Sequence, residues 1–214
     1  MMSEAMRYVE DVLAGRRREC RWVRLACERH LRDLETGHER GLWFDERAAR
    51  TVVAFFGLLR HSKGEWAGQP VILEPWQQFH LWNLFGWKRD DGTRRFRVSY
   101  LEVGRKNGKS TMGAGVGLFL QVADGEPGAE VYTAATKRDQ ARIVHGEAVR
   151  MVRQSPALGR ELRVFKDNIH SERTFSKFEP LGRDSGTLDG LNVHGAIVDE
   201  LHAHPNGDMW DVLQ

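Results

Sequence analysis

The sequence predicts an α/β fold: a mainly parallel sheet with flanking helices, preceded by a helical N-terminal segment. Three observations carry that prediction. Between residues 96 and 199, strand-like and helix-like stretches alternate, the order that builds parallel strands joined by helical crossovers. The tripeptide Gly108-Lys109-Ser110 falls where an apolar run gives way to a Gly-rich, helix-compatible run. A second apolar run, Gly195-Ala196-Ile197-Val198, ends in two adjacent carboxylates, Asp199 and Glu200. At 214 residues the chain has room for one sizeable core and a small appendage.

Residues 4–36 place Trp22, Leu25, Ala26 and Leu34 among charges at helix-like spacing, and Thr36-Gly37 ends the pattern. A second helix is expected over 45–59, capped by Asp45, with Ala48, Val52, Phe55, Phe56 and Leu59 as a core-facing stripe. Gly64, Gly68 and Pro70 make 61–70 a loop. Glu74-Pro75 then opens a helix bearing Trp76, Phe79, Trp82, Phe85 and Trp87, since proline suits the first helical turn. Asp90-Asp91-Gly92 marks a turn. Residues 96–103 alternate and then turn apolar, as a strand entering a core does. A small-residue helix is expected over 112–122, a turn over 124–128 and a buried strand over 129–134. Residues 137–154 carry Ala141, Val144, Ala148 and Val152 on one side of an amphipathic helix. Short strands follow over 162–181, a Gly- and Asp-rich loop over 181–192, a strand over 194–198 and the start of a helix at 206–213.

Charge is nearly balanced: 32 Lys+Arg against 30 Asp+Glu, a net +2, which does not by itself call for a polyanionic partner. Its distribution is uneven. Arg16, Arg17, Arg18, Arg21 and Arg24 form one basic cluster, and Lys88, Arg89, Arg94, Arg95 and Arg97 another. Such clusters either meet a phosphate backbone or make solvated faces, and the sequence favours the second. Cys20 and Cys27 are too few and too widely spaced for a Cys-x-x-Cys metal or redox motif, and fit reduced thiols in a cytoplasm. No apolar stretch approaches the ~18 residues of a membrane span, and the N-terminus lacks a signal-peptide core.

The segment Val103-Gly104-Arg105-Lys106-Asn107-Gly108-Lys109-Ser110 reads as a phosphate-binding loop. In such a loop, backbone N–H groups wrap the phosphates, the lysine reaches the β and γ groups and the hydroxyl holds Mg²⁺. Gly108, Lys109 and Ser110 fill the last three places of Gly-x-x-x-x-Gly-Lys-[Ser/Thr], while Val103 stands where the first glycine belongs. The expected strand before it and helix after it, whose N-terminus favours anions, support the assignment. Arg105 is positioned to contact a γ-phosphate in cis, or else faces solvent or pairs with Asp199 or Glu200. Those carboxylates close a buried strand, the edge at which open α/β sheets bind ligands. Asp199 suits the metal and its water, and Glu200 a general base for the attacking water. With Lys109 and Ser110 they supply what ATP hydrolysis requires. His202 and His204 follow and are read as loop histidines near the nucleotide or at a subunit contact.

Four segments together carry a resemblance. They are Leu73-Glu74-Pro75-Trp76-Gln77-Gln78-Phe79, Arg105–Ser110, Tyr132-Thr133-Ala134-Ala135-Thr136-Lys137-Arg138-Asp139-Gln140-Ala141, and the pair Ser185–Leu191 and Val198–His204. The stretch from about residue 50 to 214 resembles the ATPase domain of the large terminase subunit of tailed double-stranded DNA phages. In that family the first glycine of the phosphate loop is often missing and an arginine sits inside it, so the Val103 departure is expected.

The resemblance implies a P-loop NTPase of the additional-strand, catalytic-glutamate type over 61–214, behind a helical segment over 1–60. It implies ATP and Mg²⁺ as cofactors. Gln77 would read the adenine edge, with Trp76 packing nearby. Gly104, Arg105, Lys106, Asn107, Gly108, Lys109, Ser110 and Thr111 would form the nucleotide loop. Ser110 and Asp199 would hold Mg²⁺, and Glu200, Arg105 and Lys109 would be catalytic. The implied partners are double-stranded DNA, the portal protein, the small terminase subunit and further copies in a ring, in the host cytoplasm and with no membrane. The family continues with a coupling motif and a nuclease domain, whereas this chain stops at Gln214. That implies an ATPase domain incomplete at its C-terminal end, with the nuclease domain absent, and either a piece of a longer protein or half of a split gene. The alternative is a nucleotide- or portal-binding fragment without turnover of its own. A helicase-like ATPase is a weaker rival, opposed by Pro75-Trp76-Gln77 and by the arginine in the loop.

Overall fold

A computed structural model of the chain describes residues 2–135, 138–181, 191–204, 206–207, 210–211 and 213. Two compact units emerge: Met1–Phe56 with Ile72–Glu102, and Gly57–Val71 with Val103–Gln214. Among the described residues, no helix is long and apolar enough to cross a membrane.

The first unit holds α1 (Glu4–Leu13), α2 (Arg21–Thr36), β1 (Leu42–Phe44), α3 (Glu46–Phe56), α4 (Pro75–Gly86) and β2 (Trp87–Arg89). The continuous helical stretch expected over 4–36 is two helices. Gly15 takes φ +73°, a left-handed value that ends α1, and the chain re-enters helix only at Arg21. Ser3 Oγ caps α1 by accepting the Met6 N–H at 3.2 Å, and Asp45 Oδ1 caps α3 by accepting the Ala48 N–H at 2.9 Å. Tyr8, Val9, Cys27, Ala49, Phe79 and Trp82 pack into one core. Strand β1 pairs antiparallel with β2. Gly86 permits this arrangement, because a Cβ there would lie 2.4 Å from the Phe44 ring.

The second unit is built on a five-stranded sheet, with strands β3 (Glu130–Ala134), β4 (Arg163–Val164), β5 (Ile169–Ser171), β6 (Ser176–Leu181) and β7 (Val193–Val198) in the order β4-β5-β6-β3-β7. The central β3 is parallel to β6 on one side and to β7 on the other, whereas β4 and β5 add antiparallel on the β6 side. Helices α5 (Lys109–Val122), α6 (Arg138–Gln154) and α7 (Pro156–Glu161) accompany it. Ala141, Val144, Ala148 and Val152 are all buried, as the period of α6 predicts. The small-residue character of α5 has a packing cause: a Cβ on Gly117 would lie 2.4 Å from the buried Phe178 ring of β6. Segment Gly57–Val71 is tied to this unit through Ser62, whose Oγ donates to both Glu147 oxygens at 2.7 and 2.8 Å, and through Ser155 Oγ, which donates to Leu58 O at 2.6 Å.

One expected element is missing. Residues 96–103 form no strand; Val98 is 58% exposed and Tyr100 69%. Alternation shows which face a strand would bury, but a strand also needs a neighbour to accept its N–H and C=O groups. The loop expected over 181–192 falls mostly on residues outside those described, as does much of the helix expected at 206–213.

Candidate functional site

The phosphate-loop residues form a tight turn in front of α5. Asn107 Nδ2 donates to Gly104 O at 3.1 Å and to Arg105 O at 3.3 Å, folding the loop on itself. Lys106 takes φ +65° and Gly108 φ +73°. The left-handed region costs a non-glycine residue about 1 kcal/mol or more, a conformation that persists where its surroundings impose it. Gly108 is the N-cap of α5 and has no side chain with which to accept a hydrogen bond. The N–H groups of the first turn, which holds Lys109, Ser110 and Thr111, therefore carry the positive end of the helix dipole without a capping side chain. Arg105 and Lys106 are exposed, and Arg105 makes no ion pair among the described residues.

At the end of β7, the Asp199 N–H donates to Ala134 O at 3.1 Å, carrying the β3–β7 ladder one residue further. The chain then breaks sharply. Glu200 takes φ +49° and ψ +49°, and its N–H donates to Asp199 Oδ1 at 3.0 Å. That turn leaves Asp199 half-buried and Glu200 exposed. His202 Nδ1 lies 3.4 Å from Glu200 Oε2, so the loop histidine noted in the sequence stands beside the carboxylate.

Helix α5 runs antiparallel to β7, and three contacts fix its direction. Near its start, a Cβ on Gly113 would lie 3.2 Å from Ile197 Cγ2; further along, Leu120 Cδ1 would lie 2.5 Å from a Cβ on Gly195. Past its end, His194 Nε2 is 2.8 Å from Asp124 Oδ2. His194 is the extra residue of a bulge: Val193 opposes Glu130 and Gly195 opposes Val131. The first turn of α5 and the end of β7 thus occupy the same end of the sheet. About one turn separates Ser110 from Gly113, and one residue, Val198, separates Ile197 from Asp199.

These donors fit a nucleotide and a divalent cation. Uncapped N–H groups and an ammonium suit phosphate oxygens, and a hydroxyl with a carboxylate gives the hard oxygen ligands that Mg²⁺ takes. Gln77 and Trp76 belong to the first unit. There Gln77 is 8% exposed and its Oε1 accepts the Glu74 N–H at 2.9 Å, bracing the start of α4, while Trp76 packs against the core. Sequence reasoning missed the left-handed residues and the contacts of Gly113 and Gly195. A glycine inside the apolar run 195–198 was the one available signal of close backbone approach.

Residues 75–214 match the family model described as the terminase large subunit, ATPase domain. The chain belongs to that family. The chain is 28% identical over 163 residues to the large terminase subunit of Enterobacteria phage HK97, covering 71% of this chain and 30% of that protein. The crystal structure of the HK97 large terminase superposes with a TM-score of 0.65 at 26% identity, over 77% of this chain and 34% of that one. The Thermus phage P74-26 large terminase ATPase domain gives a TM-score of 0.43 at 23% identity, over 51% of this chain and 50% of that one. The chain spans about a third of the length of the HK97 relative. The mixed α/β architecture with its parallel central strands is that of a P-loop NTPase, as the sequence predicts.

Proposed function

We propose that this chain is the ATP-hydrolysing part of a motor that drives double-stranded DNA into a phage capsid. Lys109 neutralises the β- and γ-phosphates over the first turn of α5, whose N–H groups, together with those of the loop from Gly104 to Thr111, wrap the same oxygens. Ser110 Oγ and the Asp199 carboxylate hold Mg²⁺, which, when bound, supplies charge neutralisation at the phosphate oxygens. Glu200 orients the attacking water and takes its proton. Arg105 offsets the charge that develops on the transferred group. The partners of such a motor are the portal protein, the small terminase subunit and further copies of the chain in a ring, within the host cytoplasm.

The observation that carries this reading is the antiparallel seating of α5 on β7, with Gly113 against Ile197. It supports a shared site for the loop cations and the paired acids. The test is calorimetry with Mg-ATP beside a phosphate-release assay, with DNA present. Lys109→Ala is expected to lose nucleotide binding. Glu200→Gln is expected to keep binding and to lose turnover by about 10²-fold or more. Turnover of Glu200→Gln near that of the unmutated chain would remove Glu200 from its role. Tight binding without turnover in the unmutated chain would favour the binding-fragment alternative.

A further inference from the structure

Within the first unit, one face of α2 gathers arginines that have no counter-ion among the described residues. Arg21, Trp22, Leu25, Arg29 and Arg32 of α2 fall within a band about 100° wide around the helix. Trp22 is 73% exposed and Leu25 41%. The band contains no carboxylate. Glu28, on its border, is engaged by Arg24 at 3.1 Å. Beside the band, the Phe96 ring is shared by two guanidinium groups, with Arg29 at 5.1 Å and Arg95 at 4.8 Å.

The one buried acid nearby is already committed. Asp33 accepts from Arg95 at 2.6 Å and also binds Arg40. Arg29 and Arg32 form no ion pair with any described residue. Burial, and then the charge of Arg95, hold the Arg29 guanidinium below its usual range. Cations gathered on one face without counter-ions repel one another, and an arriving anion relieves that repulsion.

We propose that this band of α2, beside the Phe96 ring, seats the phosphate backbone of double-stranded DNA. The cations are all arginine, whose planar fork matches a phosphate in two hydrogen bonds. From Arg21 to Arg32 the helix runs about 17 Å, over which a duplex offers about ten phosphate charges, one per ~1.7 Å. An acidic protein rarely offers that density on one line. The choice of DNA as the polyanion rests on the packaging reading above.

The experiment uses the full chain and a fluorescent duplex of mixed sequence, with anisotropy read across a salt series. Arg21→Gln/Arg32→Gln changes two exposed side chains and leaves the fold intact. It is expected to weaken binding about equally for all sequences and to reduce the slope of log affinity against log salt by about 2. Arg7→Gln/Arg50→Gln removes the same charge from arginines already paired with Glu4 and Glu46, and is expected to leave the slope unchanged. An unchanged slope in the first variant overturns the inference, as does absence of DNA binding by the unmutated chain. Loss of affinity for an acidic helical peptide with DNA binding intact also overturns it, in favour of a protein partner. Mg-ATP calorimetry on the same samples separates the two readings. A chain that binds no ATP yet shows the drop in slope keeps the DNA surface and loses the packaging ATPase.

Discussion

His194 meets Asp124 at 2.8 Å, joining the bulge of β7 to the chain just beyond α5. The contact lies at the opposite end of α5 from Lys109 and Ser110, so it acts on the phosphate loop only by holding the helix that carries it. A double-mutant cycle with Asp124→Ala and His194→Ala is expected to give a coupling of about 1 kcal/mol in urea denaturation, the net worth of one largely buried hydrogen bond. A coupling of zero would mean that α5 is aligned by its glycine contacts without help from this pair.

Gly117→Ala tests those contacts. The added methyl would enter the Phe178 ring, which is fully buried and cannot swing aside. The expected loss is about 1–3 kcal/mol, the usual range for overpacking a close-packed core. Phe178→Leu in the same chain should recover part of it, whereas a helix-propensity effect would make the alanine stabilising.

Glu147 is nearly buried between Ser62 and Arg150, whose Nη2 donates to it at 2.7 Å. Glu147→Ala leaves both donors without their acceptor. We expect a cost of about 2 kcal/mol, below the ~3–5 kcal/mol of a fully buried pair because Arg150 reaches solvent. Faster proteolytic cleavage within 57–71 should accompany it, since Ser62 is an anchor of that segment.

His30 sets a pH dependence. Burial pushes its imidazole down to about 4, against an opposing pull from Asn83 and Asp33. Between about pH 6.5 and 4 the unfolded chain takes up a proton that the folded chain refuses, so stability falls as the pH drops through that window. The contribution reaches about 1.4 kcal/mol per pH unit inside it and vanishes above it. His145 of α6, also lowered by burial, adds in the same direction. His30→Gln should flatten the profile of unfolding free energy below pH 6.5 while costing stability at neutral pH through the lost Trp87 Nε1 hydrogen bond.

The legible parts of this chain were those in which one residue type has one physical consequence. Asp45 before an apolar stripe, Pro75 at a first turn and the four-residue rhythm of α6 each gave an element near its observed place. The paired acids after Val198 stand out because they end an apolar run, and the structure leaves Asp199 half-buried and Glu200 exposed there. What could not be read depends on partners distant in sequence. The alternation at 96–103 looked like a strand, but no sequence pattern reports whether a neighbouring ladder is present. Gly15 lies inside the stretch 4–36 expected to be helical, and only its φ shows that it ends α1. Gln77 has a bracing task in α4 that its sequence neighbourhood announced only as a helix start.

Gly113 and Gly195 each receive one side chain of the other element, Ile197 of β7 and Leu120 of α5, so a single side-chain layer separates helix from strand. The height of Lys109 above the sheet is therefore set by those two side chains resting on glycine, and drift in core residue size elsewhere has less leverage over it. A lineage could reshape most of this interior and still inherit the same cradle, provided those two positions never acquired bulk.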